Sequence, residues 1–302
     1  MLTTFRKPGR WLRVNVHTHT TNSDGCYTPE QAVARYRDEL GYQALFLTDH
    51  RVATPTDGLA DPDSDFSVIP GIEIDGTDPA FGLYHLLALG ITVDQNFGTD
   101  LPLQEAVDWV NAHSGLPIFA HPYWSGQRHE ALTTVVGALG VEVYNDVSLK
   151  HNGKAYALSH WDALLEEGLR VWGFASDDVH FLASFGFGGG GWIMVRAEEN
   201  TPSAILTAIR AGDFYASTGP DFIDVQREGD VLRVQCSPVA QVAFTGQSYL
   251  GEILRPTGGA ETLTEAEFTI GDERFIRITL TTADGHSAWG QPIFLNGWTD
   301  AV

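Results

Sequence analysis

The chain has 302 residues, 43% of them hydrophobic, enough for one large domain or one large and one small. A formal net charge of -21 argues against nonspecific binding to DNA or to an anionic membrane, so neither a membrane nor a stable nucleic-acid partner is expected. Two cysteines, Cys26 and Cys236, are too few for a disulfide framework or a thiolate zinc site; no apolar run reaches transmembrane length and the basic N-terminus lacks a signal-peptide core, so a cytoplasmic protein is the default.

The first predicted strand, residues 12–16, runs into His17-Thr18-His19. Side chains two apart share one face of a strand, so His17 and His19 can bind one ion together if the chain stays extended. Asp24 follows in Ser23-Asp24-Gly25, which reads equally well as a turn. A helix over 29–40 is signalled by Thr28 as N-cap, Pro29 at the first helical position and Gln31 as capping-box partner. The second strand, 44–47, ends in Thr48-Asp49-His50. Titratable residues closing an apolar run need partners, which makes His50 a candidate ligand and Asp49 a candidate for orienting a histidine. The third strand, 67–74, holds Glu73 between two isoleucines, where a carboxylate must be paired or metal-bound; its best role is to bridge two ions.

The fourth strand, 83–89, carries His85, either a core histidine or a ligand. A helix over 102–113 leads to a fifth strand, 116–120, which ends at His121. A sixth strand is predicted at 141–144, a helix over 153–167, and a seventh strand at 171–175, followed by Asp178-Val179-His180. The glycine run 188–191 reads as a flexible loop, because no helix follows it to make a phosphate cradle. An eighth strand (192–195) and a helix (202–210) follow. This alternation predicts a parallel sheet, and seven or eight strands in roughly 200 residues favour closure into a barrel. Short alternating runs at 224–226, 231–235, 241–244, 268–270 and 275–281 then predict a small antiparallel β domain. The expected division is a barrel over 1–220 and a β domain over 221–302.

Nine residues of metal-ligand type thus sit at or beside strand ends: His17, His19, Asp24, His50, Glu73, His85, His121, Asp178 and His180. One ion needs three or four, so a multi-metal site is implied, and imidazole with carboxylate suits zinc, manganese or iron. The remaining histidines, His113, His129, His151, His160 and His286, have no partners in these segments.

In this order, His17-Thr18-His19, Ser23-Asp24-Gly25, Thr48-Asp49-His50, Gly71-Ile72-Glu73, Ala120-His121-Pro122 and Asp178-Val179-His180 resemble the motifs of the PHP (polymerase and histidinol phosphatase) superfamily. Tyr144-Asn145, the segment from Phe214 to Pro220 and the segment from Ala288 to Ile293 resemble its CehA/McbA-type metallohydrolases. The resemblance implies a distorted (β/α)7 barrel with a trinuclear site. One ion would lie between His17, His19, Glu73 and Asp178, a second between Asp24, His50 and Glu73, and a third between His85, His121 and His180. Many family members have histidine where Asp24 stands; the aspartate makes that position harder, more tolerant of manganese or magnesium. Two to three divalent ions are expected.

The leading expectation is a phosphoesterase acting on a small anionic substrate, since clustered divalent ions generate hydroxide at neutral pH and stabilise the oxygens of in-line displacement. Hydrolysis of a carboxylic or carbamate ester by the same centre is the alternative, with a short-oligonucleotide nuclease and a non-catalytic binding scaffold ranked below. Glu73, Asp178, Asp49 and Asp177 are the candidates for catalysis, as ligands or proton carriers. Arg51 is the candidate phosphate-binding residue, and Tyr123, Trp124 and Asn145 are candidates for lining the pocket.

Overall fold

The computed structural model describes residues 4–61, 63–96, 98–295 and 298. Its strands, in chain order, are β1 (Arg10–Asn15), β2 (Ala44–Leu47), β3 (Ser67–Asp78), β4 (Gly82–Leu89), β5 (Leu116–Phe119), β6 (Gly140–Asn145), β7 (Trp172–Ser176), β8 (Trp192–Ala197), β9 (Phe214–Ser217), β10 (Phe222–Glu228), β11 (Val231–Val239), β12 (Gln241–Thr245), β13 (Gly251–Leu254), β14 (Leu263–Thr269), β15 (Phe275–Thr281), β16 (Ser287–Gly290) and β17 (Ile293–Phe294). The α-helices are α1 (Pro29–Ala34), α2 (Leu103–Ala112), α3 (Pro122–Ser125), α4 (His129–Thr133), α5 (Asp146–Asn152), α6 (Leu158–Glu166) and α7 (Pro202–Arg210).

The molecule is a mixed α/β fold with an antiparallel C-terminal region. β1, β2 and β3 run parallel, β3–β4–β5 is an antiparallel meander, and β5, β6 and β7 run parallel again. Beyond β7, Val179 makes a parallel bridge to Thr18, just past β1, so the two ends of this run of strands meet where His17 and Asp178 lie. On its other edge β1 pairs antiparallel with β8, and the same sheet continues through β9, β16, β15, β12 and β13. The expected division at residue 220 falls between β9 and β10, and β9 hydrogen-bonds to β16 across it. A second, three-stranded sheet has the order β10-β11-β14.

Local sequence accounts for most element ends. α1 opens with the expected capping box, Gln31 N–H donating to Thr28 Oγ1 (3.3 Å) and Thr28 N–H to Gln31 Oε1 (2.9 Å). It passes into a π-helical turn, Arg35–Glu39, that carries Tyr36 inward. α2 has no capping side chain of its own; Asp78 at the end of β3 accepts the Leu103 N–H instead (2.7 Å). The predicted helix over 153–167 is shortened to α6, and a separate helix not expected from the sequence, α5, precedes it. Asn145 caps α5, Gly153 ends it in the left-handed region (φ 79), and α6 starts only at Leu158.

The main core joins Leu12, Val14, Phe46, Ile72, Leu86, Ile118, Val141 and Phe174 from β1–β7 with Trp289 and Phe275 from the C-terminal region. A second core, including Phe222, Leu232, Val242, Phe244 and Leu280, lies within the antiparallel region. Both cysteines are free. No helix among the described residues is long and apolar enough to cross a membrane.

Candidate metal centre

All nine candidate ligands converge at one end of β1–β7. The segment just past β1 delivers His17 and His19, and the loop after it delivers Asp24. Gly25 is needed there, because a Cβ on it would lie 2.3 Å from the His19 carbonyl oxygen. His50 follows β2 and bridges to Glu73 in mid-β3. His85 enters from β4, His121 follows β5, and Asp178 and His180 follow β7. Two of these residues, His121 (φ 27) and Asp178 (φ 53), and His50's neighbour Arg51 (φ 60) have positive φ without being glycine, a strain that clusters at functional sites.

Glu73 is the centre of the arrangement, and its two oxygens face different histidines. Oε2 lies 3.1 Å from His19 Nε2, 3.2 Å from His17 Nε2 and 3.4 Å from His50 Nδ1. Oε1 lies 2.7 Å from His85 Nδ1 and 3.1 Å from His121 Nε2. Asp178 Oδ1 is 3.1 Å from both His17 and His19 Nε2. Asp24 Oδ2 is 3.3 Å from His180 Nε2 and 3.9 Å from His50 Nε2.

The expected first ligand set, His17, His19, Glu73 and Asp178, is brought together as a group. The other two are not. His180 stands with Asp24, His19 and His50, while His85 and His121 share Glu73 Oε1. The reason is that the Thr18–Val179 bridge fixes His180 over β1, its ring 4.2 Å from that of His19.

The electrostatics follow from packing carboxylates among buried imidazoles. Burial disfavours the charged forms, but the attraction between them wins. Glu73 and Asp178 are held well below the usual carboxylate range by His17 and its neighbours, and Asp24 is lowered to about 2 by His180, His19 and His50. Conversely, burial lowers the imidazoles, yet Asp178, Glu73 and Glu142 raise His17 well above its ordinary value, and Glu73, Asp75 and Asp24 lift His50 to about 9. His50 Nδ1 is buried without a hydrogen bond. A buried set of imidazoles and carboxylates packed this closely fits divalent metal ions better than it fits protons alone.

Sequence reasoning missed Glu142, a fully buried carboxylate in mid-β6. It accepts from His17 Nδ1–H (2.9 Å), the His121 N–H (2.9 Å), Asn145 Nδ2 (3.0 Å) and Ser176 Oγ (2.5 Å). With its oxygens so occupied it orients His17 and presents that ring's Nε2 to the centre. The signal was present: Val141-Glu142-Val143 has the same apolar-flanked pattern as Glu73.

Four expectations for other residues change. Among the described residues Asp49 accepts no hydrogen bond from a histidine ring; it accepts from Thr20 N–H (2.7 Å), Thr20 Oγ1 (2.8 Å) and Ser23 Oγ (2.7 Å), fastening the loop that carries Asp24. Asp177 points away from the centre and is gripped by Tyr36 Oη (2.6 Å) and the N–H groups of Gly189, Gly190 and Gly191, so the glycine run is a carboxylate clasp. Asn145 is fully buried, donates to Asp178 Oδ2 (3.2 Å) and so positions that carboxylate. Arg51 is held by Asp75 through Nε to Oδ1 (2.8 Å) and Nη2 to Oδ2 (2.9 Å). Trp124 does line the centre, its ring 5.0 Å from that of His121 and 5.7 Å from that of His85, with Nε1–H donating to His151. Tyr123 is exposed beside it, under the Lys154 ammonium.

No family model and no curated protein matches the sequence. Among solved structures, the chain is similar to a two-domain protein from Bacteroides vulgatus described as containing a predicted PHP-like metal-dependent phosphoesterase, with 17% identity, 95% of each chain covered and a TM-score of 0.50. An amidohydrolase from Chromobacterium violaceum is also similar, at 15% identity over 55% of this chain and 87% of that one, with a TM-score of 0.40. The first likeness shows the fold alone: the two chains share it along nearly the whole length of each.

Proposed function

We propose that the protein is a metal-dependent hydrolase of the PHP superfamily, of the CehA/McbA type, that hydrolyses a small phosphoester. The strands β1–β7 then form the distorted (β/α)7 barrel, with the antiparallel region from residue 221 as its companion domain. The observation that carries the reading is Glu73, a buried carboxylate whose two oxygens each face their own group of histidines.

Three groups of donors would hold ions. One is His17, His19, Asp178 Oδ1 and Glu73 Oε2; one is His85, His121 and Glu73 Oε1; the third is Asp24, His50 and His180. Divalent ions held there supply water activation at neutral pH and charge neutralisation for an in-line displacement. The chain's own residues fix ring orientation and tautomer. Glu142 takes the Nδ1 proton of His17, and the Asp178 carbonyl takes that of His180 (2.9 Å), leaving each Nε2 as the donor atom. Asn145 holds Asp178 Oδ2, and Trp124 covers the His85–His121 side against water.

A carboxylic or carbamate ester is the second reading, favoured by one observation: Arg51, the cation directly beside His50, is engaged by Asp75. The test is metal content with hydrolysis. Wild type should carry two to three ions and turn over phosphoesters, with both lost in His17→Ala and Glu73→Ala. Turnover of carboxylic esters only would transfer the assignment to the second reading. Fewer than one ion per chain, unchanged in the variants, would remove the metal-centre reading.

A further inference from the structure

We propose that Asp75 and Arg51 form a positioning pair for His50, and that Arg51 serves this pair instead of binding substrate; the proposal rests on the reading that the cluster holds ions. Asp75 lies two residues after Glu73 on β3, directly opposite His85 in the β3–β4 ladder. Alternate residues share a face of a strand, so Asp75 belongs to the face that carries the centre. It is not part of any of the groups of converging donors among the described residues. Its carboxylate is instead taken bidentately by the Arg51 guanidinium, which also donates to the Asp75 carbonyl.

The backbone sets this reach. Arg51 is left-handed (φ 60), its N–H donates to the Glu73 carbonyl (3.0 Å) and its own carbonyl accepts from the Gln95 N–H (3.1 Å). The side chain is thereby directed along β3 onto Asp75. The oxygen that accepts from Arg51 Nε, Oδ1, is also 3.5 Å from His50 Nδ1. That nitrogen is buried, and its other near oxygen is Glu73 Oε2, which His17 and His19 already share. An Nδ1–H drawn to Asp75 leaves His50 Nε2 facing Asp24 beside His180 Nε2. Arg51 neutralises Asp75, so the carboxylate orients the ring without becoming one more anionic ligand.

The test uses manganese alone, titrated into stripped wild type, Asp75→Asn, Arg51→Met and the conservative Asp75→Glu, with bound ions counted per chain. The expected result is selective: Asp75→Asn and Arg51→Met each weaken one ion about 10–100-fold while the others stay bound, and Asp75→Glu restores part of the loss. Excess manganese should restore kcat in Arg51→Met with KM unchanged. An Arg51→Met variant with a full ion complement and a raised KM would overturn the proposal, because Arg51 would then be a substrate ligand. Parallel weakening of every ion with a lowered melting temperature would overturn it as well, by showing a general loss of fold. Wild type holding less than one ion would overturn the metal-centre reading and this proposal with it.

Discussion

At the scale of single residues, the centre depends on carboxylates that hold its histidines in place. Glu142 is the strongest instance. It is completely buried, and four donors, from β6, β7 and the segments just past β1 and β5, meet on it. Glu142→Gln keeps the volume but presents an amide N–H where an acceptor is needed, so His17 loses the partner that fixes its tautomer. Affinity for the ion beside His17 should fall about 10–100-fold, read by a chelator titration. Unchanged affinity would show that His17 is held by its strand alone. The pattern that marked Glu73 also marked Glu142, yet the alliance with Asn145 was not legible. Alternation puts residues 142 and 145 on opposite faces, and only a register irregularity between Glu142 and Tyr144 on β6 brings them together. The Arg51–Asp75 pair was illegible for a similar reason, since adjacency to His50 gave the location of Arg51 but not the Asp75 carboxylate 24 positions on.

At the scale of elements, strands and capped helices were legible because their signals are local: Thr28-Pro29 opens α1 as expected, and Thr201-Pro202 opens α7 in the same way. Contacts made by backbone groups were not, since an N–H has no side-chain signature. The glycine run shows this most clearly. It read as a loose loop, and three of its amides instead close on Asp177. Gly190 tests the point, because two effects oppose each other there. Gly→Ala at a compatible position stabilises by about 0.4–1 kcal/mol through the unfolded chain. Here, however, the new Cβ would lie 2.1 Å from Asp146 Cγ, and overpacking of a buried site costs about 1–3 kcal/mol. Asp146 cannot retreat easily, being buried and held by Tyr144 Oη (3.0 Å) and Lys150. Gly190→Ala should therefore lower the urea midpoint. An equal or raised midpoint would mean that the clasp is loose, as the glycine-rich sequence first suggested.

At the scale of the whole molecule, the cluster joins the ends of most of the first seven strands, so its charge state is a term in global stability. The C-terminal region shares in it, since β16 pairs with β9, Trp289 packs in the main core and the Gln291 amide bonds both backbone groups of Gly173. The antiparallel character of that region was legible in its alternation; its continuity with the β1–β9 sheet was not, because edge pairing across residue 220 is a long-range choice. In the metal-free chain the two kinds of group act in opposite directions. Glu73, Asp178 and Asp24 are lowered, so they stabilise above the unfolded carboxylate value of about 4, and this is lost as pH falls through their folded values, about 2 for Asp24. His17, His121, His180 and His50 are raised, so they stabilise fully below about 6.5, and this is lost as pH rises through their folded values, about 9 for His50. Their combined contribution is thus greatest between about pH 4 and 6.5. Ions require the imidazoles unprotonated, so they compete with those same protons and bind better as pH rises. The gain in melting temperature on adding manganese or zinc to stripped protein should therefore be larger at pH 8 than at pH 5.5, with a single transition in both forms. Measuring the metal-induced increment at each pH cancels the background titration of the other acidic side chains. An increment that is the same at both pH values would mean that the histidines of the cluster are not the groups the ions displace protons from, and a second transition would mean that the C-terminal region unfolds independently of the centre.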